Sequence, residues 1–212
     1  MKTVAIVDYG MGNLRSVAKA VEHVAPDHQV VVTAAPQALA DAERIIVPGQ
    51  GAMPDCMREF NARGLAEAVV RAAGEKPFLG ICIGLQMLFE HSEEGDVAGL
   101  GLFSGEVKHF PAAAMQDSTG ARLKVPHMGW NEVWQAAAHP LWQGIADGTR
   151  YYFVHSYYVE PATPDVVSGS TNYGIAFTSA VARANIFATQ FHPEKSAAAG
   201  LRLLENFIHW NP

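Results

Sequence analysis

The chain has 212 residues, 49% of them apolar and 17% charged, with a net charge of −6. That composition excludes a disordered chain, and the absence of a Lys/Arg cluster leaves no phosphate-binding footprint for nucleic acid. No apolar run reaches the roughly eighteen residues of a membrane span, the N-terminus turns polar too soon for a signal peptide, and two cysteines build no disulfide framework. A cytoplasmic protein is therefore expected.

In chain order, Met1–Asp8 reads as a first strand centred on Val4–Val7. Leu14–Val24 places Leu14, Val17, Ala18 and Val21 at helical spacing. Gln29–Thr33 and Arg44–Val47 are the next strands, and the latter ends at Pro48-Gly49-Gln50-Gly51. Asp55–Ala73 predicts a helix, Pro77–Ile81 a fourth strand and Leu85–Glu90 a further helix. Strands alternating with helices imply parallel βαβ units. Beyond residue 100 the pattern changes to strands: Gly105–His109, Arg122–Val125, Asn131–Trp134, Tyr151–Tyr158, Ala176–Val181 and Ile186–Phe191. Turn-rich segments such as Asp117-Ser118-Thr119-Gly120 separate several of them, as in antiparallel pairing. A helix over Ser196–Trp210 closes the chain. The expected architecture is one three-layer α/β domain over residues 1–212. Its central sheet is mostly parallel, with flanking helices and an antiparallel extension.

The chemistry concentrates at Gly80-Ile81-Cys82-Ile83-Gly84. A Cys between a short apolar strand and a helix, with Gly two residues either side, has the layout of a nucleophile elbow. Such a turn needs flanking residues without a Cβ, and it aims the sulfur next to the positive end of a helix. Taken alone, Cys82 reads equally as a buried small hydrophobe. A nucleophilic Cys needs a base, and His192, at the end of the strand Ile186–Phe191, is the candidate. Glu194 would orient its ring, although a strand-end His followed by a helix-capping Glu gives the same three letters. An oxyanion hole would draw one backbone N–H from Ile83 and another from the Gly49-Gln50-Gly51 loop, which is otherwise a plain βα turn. Gly10-x-Gly12 follows the first strand, but Arg15 breaks the dinucleotide-binding spacing. The nine His show no ligand spacing, so neither a metal nor a cofactor is expected. Two aromatic clusters, around Trp130 and over Tyr151–Tyr158, fit a core or an interface equally well.

Pro48-Gly49-x-Gly51, Gly80-Ile81-Cys82-Ile83-Gly84-Leu85-Gln86 and His192-Pro193-Glu194 together resemble the class I (triad) glutamine amidotransferases across the whole chain. Asp8-Tyr9-Gly10-Met11-Gly12-Asn13-Leu14, His127-Met128-Gly129-Trp130-Asn131 and Tyr152-Phe153-Val154-His155-Ser156-Tyr157 are similar to the branch serving imidazole glycerol phosphate synthases. The resemblance implies a Cys82–His192–Glu194 triad that hydrolyses L-glutamine. It implies that Gln86, Ser156 and Tyr157 contact the substrate's amino-acid end. It also implies a (βα)₈-barrel cyclase partner that receives the ammonia, docked near Trp130, Asn131 and Lys195. Gln50 departs from the pattern, which has a branched aliphatic residue at that position. Leu85 stands where the anthranilate and carbamoyl phosphate types have His. Glutaminases of other ammonia-channelling synthases, a non-catalytic binding subunit on the same fold, and a Cys peptidase are the rival readings.

Overall fold

A computed structural model describes residues 2–117 and 119–212; Met1 of the expected first strand and Ser118 of the expected turn lie outside the described residues. The first half runs β1 (Lys2–Val7), α1 (Leu14–Val24), β2 (His28–Thr33), α2 (Pro36–Asp41), β3 (Arg44–Gly49), α3 (Met53–Ala62), α4 (Leu65–Glu75), β4 (Phe78–Cys82) and the single-turn α5 (Ile83–Gln86). The second half runs β5 (Phe89–Ser92), β6 (Val97–Ala98), β7 (Phe103–His109), β8 (His127–Gln135), β9 (Thr149–His155), β10 (Tyr157–Pro161), β11 (Val167–Tyr173), β12 (Ile175–Arg183), β13 (Ile186–Thr189) and α6 (Ala197–His209).

Five strands, in the order β2-β1-β3-β4-β13, pair in parallel. Every residue of β3, β4 and β13 is buried. Apart from Arg44 and Thr189 at their ends, they accordingly read as apolar runs rather than alternating ones, as strands covered on both faces do. From β1 the chain crosses to β2 in one direction and from β3 to β4 in the other. Right-handed crossovers therefore place α1 on one face and α3 and α4 on the opposite face. α6 packs against α1, and α2 against α4, which completes the three layers. The antiparallel extension continues through β12, β10 and β7, and β5 and β6 finish that edge. A branch leaves β12 through β11 to β8 and β9. Among the described residues no helix is long and apolar enough to cross a membrane.

Several elements differ from the sequence expectation. The helix expected over Asp55–Ala73 is broken: Gly64 takes the left-handed conformation at φ 65° and bonds back to Asn61 O, ending α3 before α4 begins. The helix expected over Leu85–Glu90 stops after one turn, and Phe89–Ser92 becomes β5, which pairs with β7. Arg122–Val125 forms no strand and makes only an isolated bridge from Arg122 to Gln116. The run Tyr151–Tyr158 divides at Ser156 because its halves pair with different neighbours, β9 with β8 and β10 with β7 and β12. β13 ends at Thr189, two residues short of the expected Phe191. Helix α2 and strands β5, β6 and β11 have no counterpart in the expected elements.

Candidate active site

The carboxyl ends of β3, β4 and β13 lie side by side, with Gly49 in register with Cys82 and Thr189 with Ile81. Open α/β sheets place ligand sites at such strand ends. Cys82 closes β4 and caps α5 at φ 57° and ψ −110°, a backbone conformation that non-glycine residues occupy only under constraint. The constraint comes from packing. A Cβ on Gly84 would lie 1.9 Å from Val47 O, and one on Gly80 would lie 2.7 Å from Gly84 O. The two glycines let the turn close tightly against β3. Cys82 is 3% exposed and borders a cavity of about 300 Å³.

Gly49 is wedged as tightly, since a Cβ there would meet both Ile83 Cβ and Tyr9 Oη at 2.6 Å. Tyr9 donates from its hydroxyl to Pro48 O at 2.8 Å. Cys56 donates from its thiol to Gln50 O at 3.6 Å, and burial pushes that thiol up to about 11, so it stays protonated. The Gln50 carbonyl thus turns toward α3. Across the same planar peptide the Gly51 N–H points the opposite way. Gln50, Gly51 and Ile83 all border the cavity with Cys82.

His192 follows β13, with its backbone N–H bonded to Tyr152 O at 2.9 Å and its carbonyl accepting from Ser196 Oγ at 2.6 Å. Its Nδ1 lies 2.8 Å from Glu194 Oε1, and both side chains are almost fully buried. Nε2 is buried. Burial opposes a charge on the ring, but the charges of Cys82 and Glu194 together outweigh it and hold the imidazole up at about 10. A thiol on a strained turn, an imidazole biased toward its charged form and a buried carboxylate orienting that ring can perform nucleophilic acyl chemistry.

The cavity is also lined by Gln86, Glu94, Pro126, Val154, His155, Ser156, Tyr157 and His192. Gln86, Ser156 and Tyr157, which the resemblance assigns to substrate contact, line the same cavity as Cys82. The Gln86 amide is already engaged, with Nε2 donating to Tyr157 O and Gln190 Oε1, both at 3.1 Å, while Oε1 has no partner. Sequence reasoning missed Gln190, whose Nε2 lies 3.7 Å from Cys82 Sγ. It also missed Glu94, a carboxylate in the cavity wall that accepts from Met53 N. Gln190 sits two residues before His192 at a strand end, and that position was the signal available for it. Glu94 comes from the loop after β5, an element read as helix. Trp130, Asn131 and Lys195 lie outside the cavity lining. Trp130 meets the Tyr152 ring edge-on with centroids 6.2 Å apart, and Lys195 Nζ lies 5.9 Å from the centroid of the same ring. Met128, Trp130 and Trp134, on one face of β8, are each about half exposed or more.

The family model for glutamine amidotransferase class-I matches residues 5–210. The chain belongs to that family. Two curated relatives of this class I glutamine amidotransferase each bear the name imidazole glycerol phosphate synthase subunit HisH. The protein of Aromatoleum aromaticum is 66% identical over all of both chains. That of Thiobacillus denitrificans is 64% identical, covering 99% of this chain and 92% of its own. Among solved structures, PurLQS from Thermotoga maritima superposes with a TM-score of 0.71 at 19% identity, covering 98% of each chain. A glutamine amidotransferase from the same organism superposes with a TM-score of 0.61 at 14% identity, covering 98% of this chain and 83% of its own. At that identity the structural likeness speaks to the fold. The glutamine amidotransferase fold expected from the residues is the one found.

Proposed function

We propose that this chain is the glutaminase subunit of an imidazole glycerol phosphate synthase, acting in the cytoplasm. It hydrolyses L-glutamine and delivers the ammonia to a (βα)₈-barrel cyclase that forms imidazole glycerol phosphate and an aminoimidazole carboxamide ribotide. The observation that carries this reading is the strained Cys82 elbow beside the buried His192–Glu194 pair, in a chain so similar along its length to HisH subunits.

In this reading Cys82 thiolate adds to the side-chain carboxamide carbon of glutamine. The N–H of Ile83 and an N–H of the Gly49-Gln50-Gly51 loop hold the oxyanion, each donor being worth about 2.7–4 kcal/mol of barrier. His192 gives its Nε2 proton to the leaving nitrogen, ammonia departs, and a glutamyl thioester remains. His192 then takes a proton from water as it attacks the thioester; glutamate leaves and the thiolate returns. Glu194 keeps the ring's Nδ1 proton directed and balances its charge. Glu94, acidic and in the cavity wall, suits the substrate's α-ammonium group, while Gln86 Oε1, Ser156 and Tyr157 complete the contacts to its amino-acid end. The apolar strip Met128-Trp130-Trp134, with Asn131 and Lys195, is the docking face for the cyclase. A dry passage between the two proteins keeps ammonia unprotonated and nucleophilic.

The test is glutamate release with and without the cyclase and its ribotide substrate, in wild type and Cys82→Ala. Weak activity alone, strong stimulation by the partner and none in Cys82→Ala are expected. Activity surviving in Cys82→Ala would refute the mechanism, and full activity without a partner would refute the assignment as a partner-regulated glutaminase.

A further inference from the structure

We propose that His127 and His155 form a neutral pair with fixed tautomers that positions Cys82 and its supporting amides, an inference that rests on Cys82 being the nucleophile. The fixed end is Tyr157 O, which can only accept, so His155 Nδ1, 2.7 Å away, carries a proton. A neutral His155 then has a lone pair at Nε2, and His127 Nδ1, 2.9 Å from it, is the donor. His127 Nε2 is left as an acceptor, and Asn131 Nδ2 supplies the donor at 3.3 Å. One arrangement of protons satisfies every ring nitrogen. Charging His155 turns His127 over to its other tautomer and sets an N–H of His127 against the Asn131 amide.

The rings cannot adapt by turning. His127 is sandwiched between Phe153 and Tyr173, with centroids 4.7 and 4.0 Å away and planes within 25°. Phe110 and Phe177 pack on His155, each at 5.2 Å. Burial in this aromatic cage pushes His127 down to about 4 and His155 to about 3. Both rings are therefore neutral at physiological pH.

Tyr157 O is the joint. It receives His155 Nδ1–H from one side and Gln86 Nε2–H at 3.1 Å from the other. Gln86 holds Gln190 Oε1, and Gln190 Nε2 points at Cys82 Sγ. One carbonyl oxygen is thus shared by the histidine pair and by the amides that reach the nucleophile. At the far end Asn131 also donates to Asn172 O at 2.9 Å and follows the exposed Trp130. Although His155 lines the cavity, both its ring nitrogens are committed to this chain, so the two histidines are positioning residues.

Two replacements of His155 separate positioning from packing. Asn places its amide nitrogen where Nδ1 lies and keeps the bond to Tyr157 O; Gln is nearer to His in volume but reaches only the Nε2 position. In the complex with the cyclase and its ribotide, His155→Gln is expected to lower glutaminase kcat/KM about tenfold or more. His155→Asn is expected to stay within about threefold of wild type. Imidazole ¹⁵N spectra of the wild-type chain at about pH 7 should show both rings neutral with Nδ1–H. A side chain that only fills space predicts the opposite order of the variants. That reversed order, equal losses, or an Nε2–H tautomer on either ring would overturn the inference. Activity surviving in Cys82→Ala would withdraw the nucleophile reading and this inference with it. A dead Cys82→Ala with a reversed Asn/Gln order overturns the inference alone.

Discussion

Gly84→Ala tests the packing that creates the elbow. The added methyl would lie 1.9 Å from Val47 O and 2.9 Å from Val47 C. The closest ordinary C···O approach is about 3.3 Å, so roughly 1.4 Å of movement is needed. Neither side can yield alone. Val47 lies within β3, two residues before Gly49, and Gly84 lies two residues after Cys82 in a turn already at φ 57°. The movement therefore separates Cys82 from the Gly49-Gln50-Gly51 loop beside it. Misplacement by about 1 Å costs on the order of 10²-fold in rate, and overpacking costs about 1–3 kcal/mol of stability. The assay is glutamate release by the complex with ribotide bound, run beside urea unfolding of each variant. Gly74→Ala is the control: it lies in α4, and nothing stands within 4 Å of its added methyl, so unchanged activity and up to about 1 kcal/mol of added stability are expected. A Gly84→Ala enzyme within tenfold of wild type would refute the argument that this contact sets the elbow.

Two further outcomes follow from the same geometry. Cys82→Ala removes the first of the influences that raise His192, so the ring's pKa should fall from about 10, read by imidazole NMR titration. Because the folded value lies above the ordinary 6.5, the charged ring's contribution is complete below that pH and is lost as pH rises through about 10. Stability of Cys82→Ala should therefore decline less across that window, and an unchanged His192 titration would contradict the coupling. Lys195→Ala should leave the isolated chain's glutaminase rate unchanged and reduce stimulation by the cyclase about fivefold or more. An unaltered stimulation ratio would remove Lys195 from the docking face proposed above.

What the sequence revealed was local. Gly80, Cys82 and Gly84 announce their turn because the steric demand and the residues meeting it lie within five positions. The buried parallel strands are equally plain, since burial on both faces leaves an unbroken apolar run such as Ile45–Val47. The Leu85–Glu90 segment misled because Leu85, Leu88 and Phe89 suit a helix, whereas the pairing of β5 with β7 joins segments distant in sequence. The split at Ser156 was hidden for the same reason: Tyr151–Tyr158 is a good strand throughout, and only its partners change. His127 and His155 both lie in segments that carry the family resemblance, and Gln190 lies just before His192, but nothing in the sequence joins the two histidines or aims Gln190 at Cys82. Their roles depend on hydrogen bonds that cross from one part of the sheet to another, and residue spacing does not record those.

The position of β13 has a consequence for how the protein is made. This last strand lies between β4 and β12, so until residues 186–189 have been synthesised both neighbours are open edges. An unfinished chain therefore exposes two strand borders, each four residues long, the kind of surface on which nascent proteins aggregate. The same strand leads directly to Gln190 and His192. Its insertion seals the sheet and brings His192 to the cavity of Cys82 in one event. A nascent chain that has not reached residue 186 thus holds Cys82 without Gln190 and His192 beside it.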